Sequence, residues 1–441
     1  MTPIRRQFPT AGLPLFLVAV ILVAGALSAQ AGNWKGSEEN RDGVLHILNP
    51  AEAIDPPMTI PLEESFRLGG WDGGDDEFFG VIADIMEDED GNLYVLDAQL
   101  NEIKIYDAEG NYLDSIGREG EGPGEFRGAN SLFWMPNGDI GVIQVFPGRI
   151  VTLTKDGQPG TDYKLEELEG AGFRILFGAE RAGDNLAIIY GTNKFDQANG
   201  EWSQRRTLAY FDATGKEIAQ LHYADMATNM NAPVITEAGF DNFSNRWLTD
   251  ASGRAFAADD LNAYEILVWD PAGKKDRVIE REYEALPRTA EEKEEILEIY
   301  KGFTRQIPAP NKRYEVNDNH PVVNWRGLHA RPDGSLWVAT SRGSNDAPDD
   351  QLGTYDIFDP KGRFVRQALL EGQCDSQNDA VLFVGDRIFV ITEFLNSAMA
   401  AQGGGTDTEE EGEAEPMTLI CYKSDLLDKA AGIPKGSGDS R

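Results

Sequence analysis

Residues 81–117 read VIADIMEDEDGNLYVLDAQLNEIKIYDAEGNYLDSIG. Apolar or alternating stretches of five to six residues, such as 92–97 and 102–107, are broken by short polar segments. Asp90-Gly91 and Glu109-Gly110 mark two of those breaks as tight turns, because glycine reaches backbone angles that other residues avoid. The stretch therefore spells strand, turn, strand, loop, strand, turn, strand.

The unit repeats. Its first turn returns at Asn137-Gly138, Gly183-Asp184, Ser252-Gly253, Asp333-Gly334 and Gly385-Asp386. Its second turn returns at Gly157, Gly215, Gly273 and Gly362. Six copies of a four-strand unit, roughly 45 residues each, spell a six-bladed β-propeller. The sixth copy, 380–426, lacks an obvious last strand, while 60–68 reads as a spare strand ahead of the first copy. The expected fold is thus all-β: four-stranded blades over 60–426, closed by an N-terminal strand that hides the sheet edges.

The stretch 91–117 together with 117–126, GREGEGPGEF, resembles the NHL-repeat propellers. It is similar in particular to exported six-bladed propeller proteins of bacteria. The resemblance implies the fold and little chemistry, since propellers host unrelated functions. In such repeats the Asp ending the second strand caps the following loop through backbone N–H groups, a role that the resemblance gives to Asp97.

Composition narrows the functional classes. The chain has 441 residues and a formal net charge of −35, with 41% hydrophobic residues. That apolar content can bury a large core. The acidity, with no Lys/Arg cluster, argues against nucleic-acid binding. Arg5 and Arg6, the apolar run 13–27 and Ala29-Gln30-Ala31 read as a signal peptide over 1–31. The run, about 15 residues, is shorter than the ~20 needed to span a bilayer. The reading is a mature chain without a membrane span, periplasmic or extracellular after cleavage near Ala31, with 32–59 as an N-terminal extension and 427–441 as a tail.

Loop lengths point to one face. Added length falls between second and third strands at 191–205, 341–353 and 394–416, and in the inter-blade links 223–245 and 283–326. In a four-strand blade all of these lie at the same end, where binding residues concentrate. The 283–326 link holds an amphipathic helix: Thr289 and Glu292 form a capping box, apolar residues follow at helical spacing, and Pro308 ends it, giving about 289–307. The low-complexity acidic stretch 403–416 reads as a disordered loop.

Candidate ligand-binding residues on that face are Arg326 and Arg342, beside Trp325 and Trp337, and Asn193, Lys194, Asp259 and Glu393 at or after second strands. Arginines with aromatics suit an anionic or sugar-like ligand. Only His329, of four histidines, falls on an inner strand, which leaves no His-rich zinc site. Calcium needs only oxygens and stays possible, though 88–92, DEDGN, reads as a hairpin turn rather than a calcium loop. Cys374 and Cys421 are candidates for a disulfide pinning the last blade, with two separate buried thiols as the alternative. The leading reading is a non-catalytic propeller that binds a ligand or an envelope-protein partner on its loop-rich face. The alternative is a calcium-dependent hydrolase or lyase acting on a lactone or sugar-like substrate.

Overall fold

The computed structural model describes residues 33–71, 73–167, 174–305, 309, 311–345, 347–401 and 415–432. The signal-peptide reading of 1–31, most of the acidic stretch 403–416 and the tail beyond 432 lie outside the described residues.

The chain is a six-bladed β-propeller, closed as expected by an N-terminal strand. Blade 1 is Ile82–Glu87, Leu93–Asp97, Glu102–Tyr106 and Tyr112–Ile116, paired in sequence order. Blade 2 has Ala129–Trp134, Ile140–Gln144 and Arg149–Leu153. Its fourth strand is reduced to a bridge between Leu153 and Pro159, because proline has no N–H to extend the ladder. The first strands of neighbouring blades touch around the whole ring and enclose a central channel.

Every second strand is buried on both faces, which explains the continuous apolar runs. In blade 1, Leu93 and Val95 pack toward blade 6, while Tyr94 and Leu96 pack toward blade 2. Six such clusters, one between each adjacent pair of blades, form the core. The turns obey one rule. Asp88 accepts hydrogen bonds from the N–H groups of Asp90 and Asn92, and Gly91 turns the chain at φ +83°. Asp250, Asp270 and Asp359 repeat the arrangement. The 88–92 stretch is therefore a hairpin turn.

The N-terminal segment does more than close the ring. Val44–Asn49 runs parallel to the outer strand Lys275–Arg281 of blade 4, with Ser37–Arg41 beyond it. Met58–Pro61 runs parallel to Phe364–Glu371 of blade 5. Only Glu63–Gly69 pairs antiparallel with Thr418–Lys423 and completes blade 6. The closing strand thus starts three residues later than the expected 60–68, because 58–61 belongs to blade 5 and the chain crosses over at Leu62, whose N–H bonds Glu371.

The expected Cys374–Cys421 disulfide is not formed; both thiols are free and buried. Alternation explains it. Cys421 faces the cluster between blades 6 and 1, whereas its neighbour Tyr422 shares with Cys374 the cluster between blades 5 and 6. The sheet of blade 6 stands between the two sulfurs. Burial pushes Cys374 up to about 12 and Cys421 up to about 11.

The helix in the 283–326 link spans Ala290–Phe303, and its Thr289/Glu292 capping box is present. Tyr300 stacks on Phe240 at 4.9 Å. At its base Arg288 makes a bidentate, buried ion pair with Glu237, both bonds 2.7 Å long. Among the described residues no helix is long and apolar enough to cross a membrane.

Candidate functional site: the central channel

The extra length between second and third strands takes three forms. In blade 3 it becomes strand: Asn185–Asp196 and Glu201–Phe211 pair to their ends and carry a long hairpin beyond the ring. In blade 5 it is a helical turn, Ser341–Ser344. In blade 6 it begins with the helix Phe394–Ala401.

Phe394 and Ala398 from that helix, with Gln99 and Val145 from the corresponding loops of blades 1 and 2, border a cavity of about 1170 Å³. Most of the rest of its wall is the first strands of all six blades. Four of those strands are irregular. Register slips in blade 2 between Ala129 and Ser131, and in three others: blade 1 between Ile82 and Asp84, blade 3 between Leu176 and Gly178, and blade 5 between Val323 and Leu328. Bulges re-aim side chains, and beside these three lie the charged groups of the cavity: Asp84, Glu180 and Arg326.

Asp84 accepts from the N–H of Leu132 in blade 2, at 2.8 Å, and from that of Ile85, at 2.9 Å. Burial makes its carboxyl harder to ionise than usual, opposed by the Arg326 guanidinium and those N–H donors. Arg326 sits at φ +51°, a left-handed conformation costly for a side chain with a Cβ. Its guanidinium lies 4.8 Å from the Trp325 ring and 5.4 Å from that of Phe394, and burial weakens its hold on the proton, offset by Asp84.

Glu180 accepts from both the N–H and the hydroxyl of Thr249 in blade 4. Both bonds fall on Oε2, and Oε1 has no hydrogen-bond partner among the described residues. Glu180 is half-buried and lines the cavity. Burial pushes its carboxyl up to about 7; the Thr249 donors pull it down and the Asp84 charge raises it a little further. His329, on the blade 5 strand as expected, stacks on Phe383 at 4.2 Å. Burial, helped by the Arg331 charge, holds it neutral and lowers it to about 3. Asn130 donates to the carbonyl of Phe177, while its buried Oδ1 has no hydrogen-bond partner.

Of the six candidate ligand-binding residues singled out in the sequence, Arg326 alone borders the cavity, with Trp325 and His329 beside it on the wall. Arg342 is exposed and clamps the inter-blade link through the carbonyls of Glu284 and Ala285. Asn193 accepts from Gln204 across the blade 3 hairpin, and Lys194 beside it is exposed. Asp259 pairs with His222 at 2.9 Å. Glu393 accepts from Asn396 within the blade 6 helix. Asp97 caps its loop, accepting from the N–H groups of Gly80, Val81, Gln99 and Leu100. The reading of the residues missed Asp84 and Glu180. Their signal was a lone acid inside an inner-strand stretch: Ile82-Ala83-Asp84-Ile85 and Gly178-Ala179-Glu180. Among the described residues no three His, Cys, Asp or Glu side chains converge on a point that could hold a metal.

Residues 74–252 match a family model described as a 6-bladed beta-propeller. No curated protein matches the chain at a significant level. Three solved structures similar to it can be given. One is a member of the DUF4221 family from Bacteroides vulgatus: 10% identity, 82% of this chain and 97% of that chain covered, TM-score 0.44. Another is the calcium-binding protein regucalcin from Agrobacterium tumefaciens: 13% identity, 83% and 97% covered, TM-score 0.39. The third is virginiamycin B lyase from Staphylococcus aureus: 11% identity, 81% and 98% covered, TM-score 0.35.

Proposed function

We propose that this chain is an exported, ligand-binding propeller whose ligand sits in the central channel, entering from the face that carries the long loops. One observation carries the reading: a cavity of about 1170 Å³ whose wall brings Asp84, Glu180 and Arg326 together with Trp247, Trp325 and Phe394. Cavities of several hundred Å³ with apolar walls and a few convergent polar groups are where small molecules bind. Arg5, Arg6, the apolar run 13–27 and Ala29-Gln30-Ala31 support export.

A library of small metabolites, screened by the shift each gives in melting temperature, tests the proposal against a channel-filling variant, Ser131→Trp. Compounds that raise the wild-type melting temperature should leave the variant unmoved. Equal shifts in both proteins, or none in the wild type, would overturn it.

A second reading, hydrolysis or elimination, has its own support. Asp84 and Glu180 share one cavity, both made harder to ionise by burial, and a carboxyl near 7 suits proton transfer at neutral pH. For calcium the channel offers oxygens at these carboxyls and at Asn130. Loss of melting temperature on chelation would favour this reading.

A further inference from the structure

We propose that the channel ligand is an organic ammonium: a small molecule with a protonated amine on an aromatic or apolar body. This rests on the reading of the channel as the binding site and names the chemistry of its occupant.

The first argument is a count of donors and acceptors. Asn130 Oδ1 is buried and accepts nothing, its amide nitrogen being committed to the carbonyl of Phe177. Glu180 lines the cavity and uses Oε2 for both bonds to Thr249, and Oε1 has no hydrogen-bond partner among the described residues. Asn130 stands on the first strand of blade 2 and Glu180 on that of blade 3, whose edges adjoin. The carbonyl of Phe177 itself belongs to that blade 3 strand. Two oxygens without a donor among the described residues call for a ligand rich in donors. An ammonium has three N–H donors and no acceptor, whereas a carboxylate or phosphate would add only acceptors.

Charge gives the second argument. The ionisable groups on the cavity wall are Asp84, Glu180, Arg326 and His329. Arg326 is held by the Asp84 charge, and His329 is neutral. Among the described residues Glu180 forms no ion pair, and the charge of Asp84, which bears on it, is of like sign. An incoming cation supplies the missing partner. The chain as a whole carries −35, and a cleft in an acidic protein draws cations toward it.

The walls supply the rest. Phe177 and Trp247 flank Glu180 on the same and the next first strand, and both border the cavity. Arg206 already lies over the Phe177 ring at 4.5 Å. Trp247 borders the same cavity and carries no such cation among the described residues, and an aromatic ring in a cavity with a carboxyl favours an alkylammonium.

Three probes of one size and different charge test this by titration calorimetry at neutral pH: phenethylammonium, 2-phenylethanol and phenylacetate, with calcium chloride as a fourth. Phenethylammonium should bind wild-type protein at least about tenfold more tightly than 2-phenylethanol, the scale of a hydrogen bond to a charged group. Phenylacetate should not bind. Glu180→Gln keeps an acceptor for Thr249 and should lose at least about tenfold for phenethylammonium while leaving 2-phenylethanol unchanged. Asn130→Ala should weaken phenethylammonium by a smaller factor. Equal affinity for the alcohol and the ammonium, or an unaffected Glu180→Gln, would overturn the inference and leave the channel as a binding site. Tight calcium binding that Glu180→Gln abolishes, without ammonium binding, would replace the organic cation by a metal. If no probe binds, and Ser131→Trp changes no ligand response in the metabolite screen, both the inference and the binding reading fail.

Discussion

Glu180, on the first strand of blade 3, accepts hydrogen bonds from both the backbone N–H and the hydroxyl of Thr249, on the first strand of blade 4. Asp84 does the same for blades 1 and 2 through the N–H of Leu132. Carboxyls that stitch neighbouring blades from inside the channel are also the channel's charged surface. Their ionisation therefore bears on stability and on binding together.

Glu180 is pushed up to about 7 from the usual 4.5. The folded protein then holds a proton that the unfolded chain has released, so stability falls as pH rises from 4.5 to 7. Glu180→Gln removes that loss. Urea denaturation should find the variant more stable by roughly 3 kcal/mol at pH 8 and indistinguishable from wild type near pH 4.

His329 sets the opposite slope. Held at about 3 against a usual 6.5, it stays neutral in the fold while the unfolded chain takes up a proton. Its contribution is present above pH 6.5 and is lost as pH falls toward 3. In His329→Gln the decline in melting temperature between pH 6.5 and 4.5 should be shallower than in wild type.

The buried pair Arg288–Glu237 anchors the 283–326 link, and Glu237 also accepts from the N–H of Asn317. Glu237→Gln leaves the Arg288 charge without its counter-ion, at a cost of about 3 kcal/mol. The helix should loosen with it. Trypsin should cut at Lys293 or Lys301 severalfold faster in the variant, with the rest of the propeller still resistant.

Ring closure is tested by two leucines. Leu68 in the closing strand is buried against blade 6, whereas Leu113 in the outer strand of blade 1 is half exposed. Leu68→Ala should cost about 3 kcal/mol in denaturant unfolding. Leu113→Ala should cost under about 0.5 kcal/mol.

What could be seen in the sequence follows from the range over which each interaction acts. The blades were legible because their signals are local: apolar second strands such as Leu93–Asp97, and Asp-x-x-Gly turns such as 88–91. The capping box at Thr289 was legible for the same reason. The channel was only partly so. Arg326 stood out beside Trp325, but the acid that acts on it, Asp84, comes from another blade, and Glu180 acquires its character from burial in the assembled channel, with its hydrogen-bond partner Thr249 lying 69 positions away. The Cys374–Cys421 pairing was misjudged because nearness in the fold is not enough; strand alternation puts residue 421 on one face of blade 6 and Tyr422, with Cys374, on the other. The strands Val44–Asn49 and Met58–Pro61 were missed because their partners are edges of blades 4 and 5, over 200 residues further along.

The strand Glu63–Gly69 finds its partner only in Thr418–Lys423. During synthesis the piece that seals the ring is among the first made, and what it seals against is among the last. For nearly the whole of that interval the first and last blades each present an unsealed edge, and the channel has no complete wall. A ligand of the channel can therefore bind only a finished circle. It would act on the final step of assembly, favouring shut rings over open ones by mass action.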